Sequence, residues 1–412
     1  MKFIIFEDQN FDSFYPISLT RPVWEILAGT YSFRQRLEKF IRKNFKVKSD
    51  LYFFSRDFLV PYYQERYPQL KINDYSIFKE NNQDEEFLFI NATSFPEKFF
   101  SNLTSGTILT KKNIPLIARI RLKDLNPKLK SISKIILTAK SRQQKARHNI
   151  TKIDYLYELI SRNKEIIAQD FSTFTKKNKS NSTINFQIIG PKKNLHLEDK
   201  VEIAPQVVFD LTSGPIIIKK GTKIAPFTFI EGPVFIAENC LLLGPKIKGG
   251  TSIGPNCRLG GEIEQSIFQG FSNKYHDGFI GNSFVGEWVN LGALTTNSDL
   301  RNDYGPVKLS LPNKIIETKT HKLGCFIGDF TKTSIGTLIN TGTIIGPGGM
   351  LANPGMLTPY HLPPFSEYRN LELKKIVDFK KFEKTAFLMT SRREVLFSSK
   401  YKALLKYLFK LK

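Results

Sequence analysis

The chain is poor in cysteine, histidine and acid, and each shortage excludes something. Its three cysteines, Cys240, Cys257 and Cys325, form no CxxC and no disulfide framework, which fits a reducing compartment. Its five histidines form no HExxH and no helical metal pair, which argues against a zinc enzyme built on local spacing. Long apolar runs are missing as well. Phe87–Ile90, bounded by Glu86 and Asn91, falls far below the roughly 18 residues that span a bilayer. The opening MKFIIFEDQN turns acidic too soon for a signal peptide, so the expected location is the cytoplasm. Acids number 38 against 61 Lys and Arg, a net charge of +23. Such a field attracts polyanions, including phosphorylated small molecules. It also reads as plain surface lysine. With no zinc-finger spacing, basic zipper or aromatic RNA-binding signature, no specific nucleic acid partner is expected.

What is present is a chain of 412 residues, 41% hydrophobic and 24% charged, which suits a folded protein of two or three domains. Up to residue 172 it reads as α/β. Apolar runs at Phe3–Phe6, Leu51–Phe54, Phe87–Ile90, Leu116–Ile120 and Ile135–Leu137 predict strands, and Ser32–Arg42 and Ile153–Ala168 predict helices. That alternation predicts a Rossmann-like sheet. The polar stretch 173–183 predicts a linker.

From 184 to 355 the texture changes to a period of six. Ile218, Ile224, Ile230 and Ile236 set the beat, which returns at Ile253 and Leu259, at Phe279, Val285 and Leu291, and at Ile327, Thr333, Ile339 and Ile345. Six fits neither a helix nor an ordinary strand. It fits a parallel β-helix whose three faces each take one short strand and one turn, giving up to about nine coils of about 18 residues. Residues 356–412 predict an extended, proline-rich segment and helices. In the last of these, Tyr401, Leu404, Leu405, Leu408 and Phe409 share one face, opposite Lys402, Lys406 and Lys410. Packing against protein is favoured for this stripe over contact with a membrane surface.

Within the repeats, NKYHDGFIGNSFVGEWVNLGALTT (273–296) interrupts and resumes the beat, placing His276 at the edge of a coil. An imidazole there is suited to taking a proton from an attacking amine or hydroxyl. Pattern alone favours a structural or merely exposed histidine.

The segments HDGFIGNSFVGEWVNLGALTTNSDLRND (276–303), VKL (307–309) and KLGCFIGDFTKTSIGTLINTGTIIG (322–346) resemble the acetyltransferase half of a known family. These are the bifunctional glucosamine-1-phosphate N-acetyltransferase/N-acetylglucosamine-1-phosphate uridylyltransferases, in their archaeal and alternative bacterial forms. The likeness covers roughly residues 215–355 and rests on His276, Gly286, Asn290, Gly292, Ala293, Leu300, Arg301, Asp303, Val307 and Lys308. It implies a left-handed β-helix and a homotrimer with clefts between subunits. It also implies His276 as the general base toward the sugar amine, with acetyl-CoA as cosubstrate. Asn290 would orient the sugar or the base, and the Ala293 N–H would meet the oxyanion. Arg301 and Lys308 would hold phosphates of the sugar or the coenzyme. Two departures stand out: Leu294 replaces a small turn residue, and Glu262 and Glu264 lie where bacterial members present a basic sugar-phosphate contact.

FYPISLTRPVWEILAGTYSFRQRLE (14–38) resembles the P-L-T-x-x-[RK]-P segment of sugar-nucleotide pyrophosphorylases, which implies Arg21 as a nucleotide contact and Mg²⁺ for that step if it is active. The glycine-rich phosphate loop is missing, however, and Asn91–Ala92 stand where a Gly-Asp metal ligand is usual. Asp8, Asp12 and Asp170 are candidate carboxylates, with no ligand set fixed. Three readings follow. The first is acetyl transfer followed by uridylyl transfer, with a sugar phosphate and a nucleotide as small-molecule partners. The second is acyl transfer to another amino sugar beside an inactive nucleotide-binding domain. The third is a noncatalytic scaffold.

Overall fold

The structure is a computed structural model and describes residues 1–45, 51–79, 82–145, 150–174, 186–312, 314–376 and 378–411. The expected linker lies outside the described residues from 175 onward, as does His148.

The N-terminal unit holds a seven-stranded sheet in the spatial order 71–72, 51–54, 2–6, 86–91, 114–121, 107–111, 142–145. The first four strands run parallel, and Ile114–Arg121 is antiparallel to both its neighbours. Alternate residues feed two cores. Phe3, Ile5, Phe53 and Ile90 face α1 (Phe33–Phe45), α2 (Val60–Arg66) and α4 (Leu156–Asp170). Ile4, Phe6, Phe54 and Phe89 face α3 (Ile132–Leu137). That last helix corrects the strand expected at Ile135–Leu137. Ile132, Ile135 and Ile136 are spaced to bury one helical face, and a short apolar run cannot distinguish this from a strand.

Residues 187–369 wind into a left-handed parallel β-helix. Its first face stacks strands from Gln187–Ile189 to Phe279–Gly281, and its second runs through nine strands from Leu195–Leu197 to His361–Leu362. The third runs from Glu202–Ile203 to Asn273–Lys274 and continues through bridges at Asn290 to Lys332–Thr333, Met350–Ala352 and Ser366–Arg369. The parallel ladders thus extend past the expected boundary at 355, because Leu362 and Tyr368 keep the inward beat around Pro363–Pro364. One column of inward residues, Ile218, Ile236, Ile253, Phe268, Val285, Ile327 and Ile345, is fully buried. Cys240, Cys257 and Cys325 are free thiols inside the coil, where burial pushes Cys257 and Cys325 up to about 12.

The second face is apolar on both sides. Its outward residues Ile217, Phe235, Ile267, Phe284, Phe326 and Ile344 join the core of the N-terminal unit. Asn163 of α4 locks that docking, its Nδ2 donating to the Gly250 carbonyl and the Ser252 hydroxyl at 2.8 Å each. At the edge between second and third faces, α5 (Phe379–Ser391) and α6 (Ser399–Lys410) close the assembly. The apolar stripe of α6 is spent there: Tyr401, Leu404, Leu405 and Leu408 are buried, and Tyr401 stacks on Tyr62 at 4.1 Å. Among the described residues no helix is long and apolar enough to cross a membrane.

Candidate functional site

The edge between third and first faces carries the sequence-predicted base. His276 is exposed there, its ring meeting Tyr275 edge-on at 5.2 Å. The next coil brings Ala293 and Leu294 beside it, with the Leu294 N–H donating to the Asp277 carbonyl at 2.8 Å. Ala293 gives its carbonyl to Gly336 N–H, while its own N–H donates to no acceptor among the described residues. Leu294, with φ of 61°, holds the left-handed turn normally given to glycine and projects into solvent. His276 and a free backbone donor therefore share one edge. Asn290 lies three residues before Ala293 on the third face, where its Oδ1 accepts from Asn273 Nδ2 at 3.3 Å.

Arg301 and Lys308 are not drawn to that edge. Both sit on the insertion between Asn297 and Phe326, paired with near neighbours. Arg301 forks onto Asp303 at 2.8 and 2.5 Å, and Lys308 meets Glu317 at 2.8 Å across a hairpin. Glu262 and Glu264 are answered by Lys248 at 3.0 and 3.3 Å.

Beneath His276 lies a group that the sequence reading missed. Lys274 falls six residues after Phe268 and six before Ile280, so it occupies an inward position, stacked on Leu259. Its Nζ reaches the edge and donates to the carbonyls of Gly260 and His276, both at 3.0 Å. A lysine on the hydrophobic beat was the available signal. Burial pushes its ammonium from 10.5 down to about 8. The folded chain therefore binds fewer protons than the unfolded one between those values, and stability rises with pH across that window. Lys274→Met is expected to flatten the rise, read as melting temperature over roughly pH 7.5 to 10.5. Identical slopes in the two proteins would contradict this.

Arg21 is corrected outright. It is not at a nucleotide cleft but 1% exposed between the two units, bonded to Asp329 of the β-helix and 3.6 Å from Glu287. Arg66 forks onto Glu287 at 3.0 and 2.9 Å, and the Thr20 hydroxyl donates to Asp329 at 2.7 Å. Burial opposes each charge, yet Asp329 and Glu287 raise Arg21 above its usual range, and Arg66 and Arg21 hold Glu287 below its own. A guanidinium so enclosed does not meet a triphosphate from solvent.

Two of the candidate metal carboxylates are also engaged. Asp8 accepts from Asn91 Nδ2 at 2.8 Å and lies 3.4 Å from Lys152 Nζ. Asp170 is clamped by Arg36 and Thr30, and Asp12 is exposed in the short helical turn Phe11–Phe14. Glu7, beside Asp8, is held by Arg56. Among the described residues no three metal-ligating side chains cluster. These residues do not fit the Mg²⁺ site that the fold would imply.

Two of the cavities among the described residues bear on the site. One of about 1010 Å³ lies between the N-terminal segment and the last coils, lined by prolines and leucines with Lys314, Lys374 and Lys375, and contains the Tyr15 hydroxyl 3.1 Å from His361 Nε2. The other, of about 320 Å³, opens on the third face and includes Asn290. The larger one is remote in sequence and fold from His276, so the edge, not cavity size, marks the candidate chemistry.

The sugar nucleotidyl transferase family is matched over residues 3–179. The uncharacterized acetyltransferase YaiX of Escherichia coli is 34% identical over 169 residues, covering 40% of this chain and 73% of that protein. A bifunctional sugar-1-phosphate nucleotidylyltransferase/acetyltransferase of Sulfurisphaera tokodaii is 32% identical over 156 residues, covering 37% of this chain and 36% of that one. Among solved structures, the polysialic acid O-acetyltransferase OatWY aligns with 47% of this chain and 90% of its own, at 14% identity and a TM-score of 0.29.

Proposed function

We propose that this chain, a transferase of the same family as the YaiX acetyltransferase with a sugar nucleotidyl transferase match in its N-terminal unit, acetylates the amine of glucosamine 1-phosphate from acetyl-CoA. The observation that carries this reading is the pairing, on one edge, of the unencumbered His276 ring with the free Ala293 N–H. The amine nitrogen attacks the thioester carbonyl, and His276 takes its proton as the N–C bond forms. The oxyanion accepts from the Ala293 N–H. The C–S bond then breaks, and the proton passes to the departing thiolate. Asn290 orients the acceptor from the third face. Holding amine and thioester in line supplies much of the remaining rate.

A homotrimer fits the same edge. Phe227, Tyr275, Leu294, Ile335, Met356 and Leu357 are exposed along it, an apolar ridge of the kind that marks a subunit contact. The N-terminal unit already covers the second face, so second copies of this chain are the occupants this ridge suits, with the acyl donor in the cleft between them. The buried, unpaired thiols support a cytoplasmic setting.

The first test is thiol release from acetyl-CoA on adding glucosamine 1-phosphate, with His276→Ala alongside. Release that the variant loses supports the reading; no release from folded protein sinks it.

For the N-terminal unit the second reading is favoured, in which it does not catalyse uridylyl transfer. The Asp8–Lys152–Asn91 cluster supports this, since the carboxylate at the sheet's reactive end is already neutralised. Mixing UTP, N-acetylglucosamine 1-phosphate and Mg²⁺ is expected to release no pyrophosphate. Release above background would restore the bifunctional reading.

A further inference from the structure

The third face presents outward polar residues on successive coils. Arg258 stands beside Asn273, Asn273 bridges to Asn290, and Asn290 to Lys332. The C-terminal end of α5 folds over them with Arg392 and Arg393, and Arg393 Nη2 donates to Asn273 Oδ1 at 2.6 Å. The enclosed cavity, about 320 Å³, is lined by these groups together with Phe271, Trp288 and Met389 and by no carboxylate. Phe271 and Trp288 are stacked at 4.5 Å, giving it one aromatic wall.

Four cations converge here, and among the described residues no acid answers them. There Lys332 Nζ has the Phe330 carbonyl at 3.3 Å as its one acceptor, and burial pushes its ammonium down to about 8. Burial, with the neighbouring Arg258 and Arg392 charges, pushes Arg393 below its usual range. Elsewhere this chain matches such groups: Arg21 and Arg66 with Asp329 and Glu287, Arg36 with Asp170, Arg56 with Glu7. Clustered cations that repel one another in a half-enclosed cavity are relieved by a bound anion.

We propose that this cavity is a phosphate subsite that holds the phosphate monoester of the acceptor sugar, with the Asn273–Asn290 amide pair toward its hydroxyls. The proposal rests on the acetyl-transfer reading for the identity of the sugar, but not for the anion. Its volume stands at the lower end of small-molecule sites, about 300–1,000 Å³, and suits a sugar phosphate better than a whole coenzyme or nucleotide sugar. Asn273 and Asn290 each precede the His276 edge by three residues, which puts the subsite on the same coils as the candidate base. The subsite takes the task that the locally paired Arg301 and Lys308 do not perform.

The test is calorimetric titration of the full chain with glucosamine 1-phosphate, inorganic phosphate, glucosamine and coenzyme A. The two phosphates are expected to bind and glucosamine to bind much more weakly. Arg258→Gln and Lys332→Gln are each expected to weaken phosphate binding about tenfold or more, with unchanged melting temperature and unchanged coenzyme A affinity. Phosphate binding equal to wild type in both variants overturns the subsite, as does displacement of phosphate by coenzyme A. Variant-sensitive phosphate binding without thiol release keeps the subsite and rejects acetyl transfer. Thiol release with an Arg258→Gln KM equal to wild type keeps acetyl transfer and rejects the subsite.

Discussion

Replacing His276 with alanine is expected to slow thiol release from acetyl-CoA by about 10²- to 10⁴-fold, the range typical of removing a positioned general base. The fold should not notice the change. His276 is exposed, and its imidazole has no hydrogen-bond partner among the described residues. What the coil uses at this position is backbone: the His276 carbonyl accepts from Lys274, and the adjoining Asp277 carbonyl from Leu294. Melting temperature and molecular mass by light scattering should therefore match wild type, with both proteins trimeric. An active variant would move the base elsewhere on the edge. A variant that lost activity together with its trimer would show that His276 works as a contact and not as a base.

The second large effect belongs to Arg21. Arg21→Ala leaves Asp329 buried between the two units with no cation against it, only the Thr20 hydroxyl and the Glu287 N–H, while Arg66 keeps its fork on Glu287. Breaking one side of a buried pair in this way costs about 3–5 kcal/mol. The expected outcome is a marked fall in the urea midpoint, with loss of docking seen as faster proteolysis between the units. Arg21→Met combined with Asp329→Leu should recover most of the loss, because it removes both desolvated charges together. A midpoint for Arg21→Ala within experimental scatter of wild type would mean that the interdomain network contributes nothing net. Acetyl transfer is the informative second readout. If the N-terminal unit only braces the second face, activity measured well below the unfolding transition should survive.

Much of this architecture was legible. Phe3–Phe6, Leu51–Phe54, Phe87–Ile90 and Leu116–Ile120 lie within strands because each is an apolar run bounded by polar residues. The six-residue beat named the β-helix because inward positions must repeat once per face. Even the docked face was written in the sequence. Ile216–Ile218 and Val234–Ile236 are apolar at every strand position, as a strand buried on both sides requires, whereas neighbours such as Lys223–Ile224 alternate. Ile135–Leu137 was misread because three apolar residues carry no period of their own, and its helical character depends on Ile132.

The site divides along the same line. The interrupted beat drew attention to His276, while its role as base, and those of Asn290 and Ala293, came from the family resemblance of residues 276–303. By itself, then, the sequence determined the repeat and the all-apolar strands of the docked face, which follow from periodicity within short stretches, and the resemblance supplied the candidate base. Only the tertiary structure decided which cations are free. Arg21 looked available for a nucleotide until Asp329, more than three hundred residues away, was brought against it. Arg258, Lys332 and Arg393 looked like ordinary surface charge until the coil and the end of α5 gathered them around one cavity. Charge acts through distance in space, and the sequence records only distance along the chain.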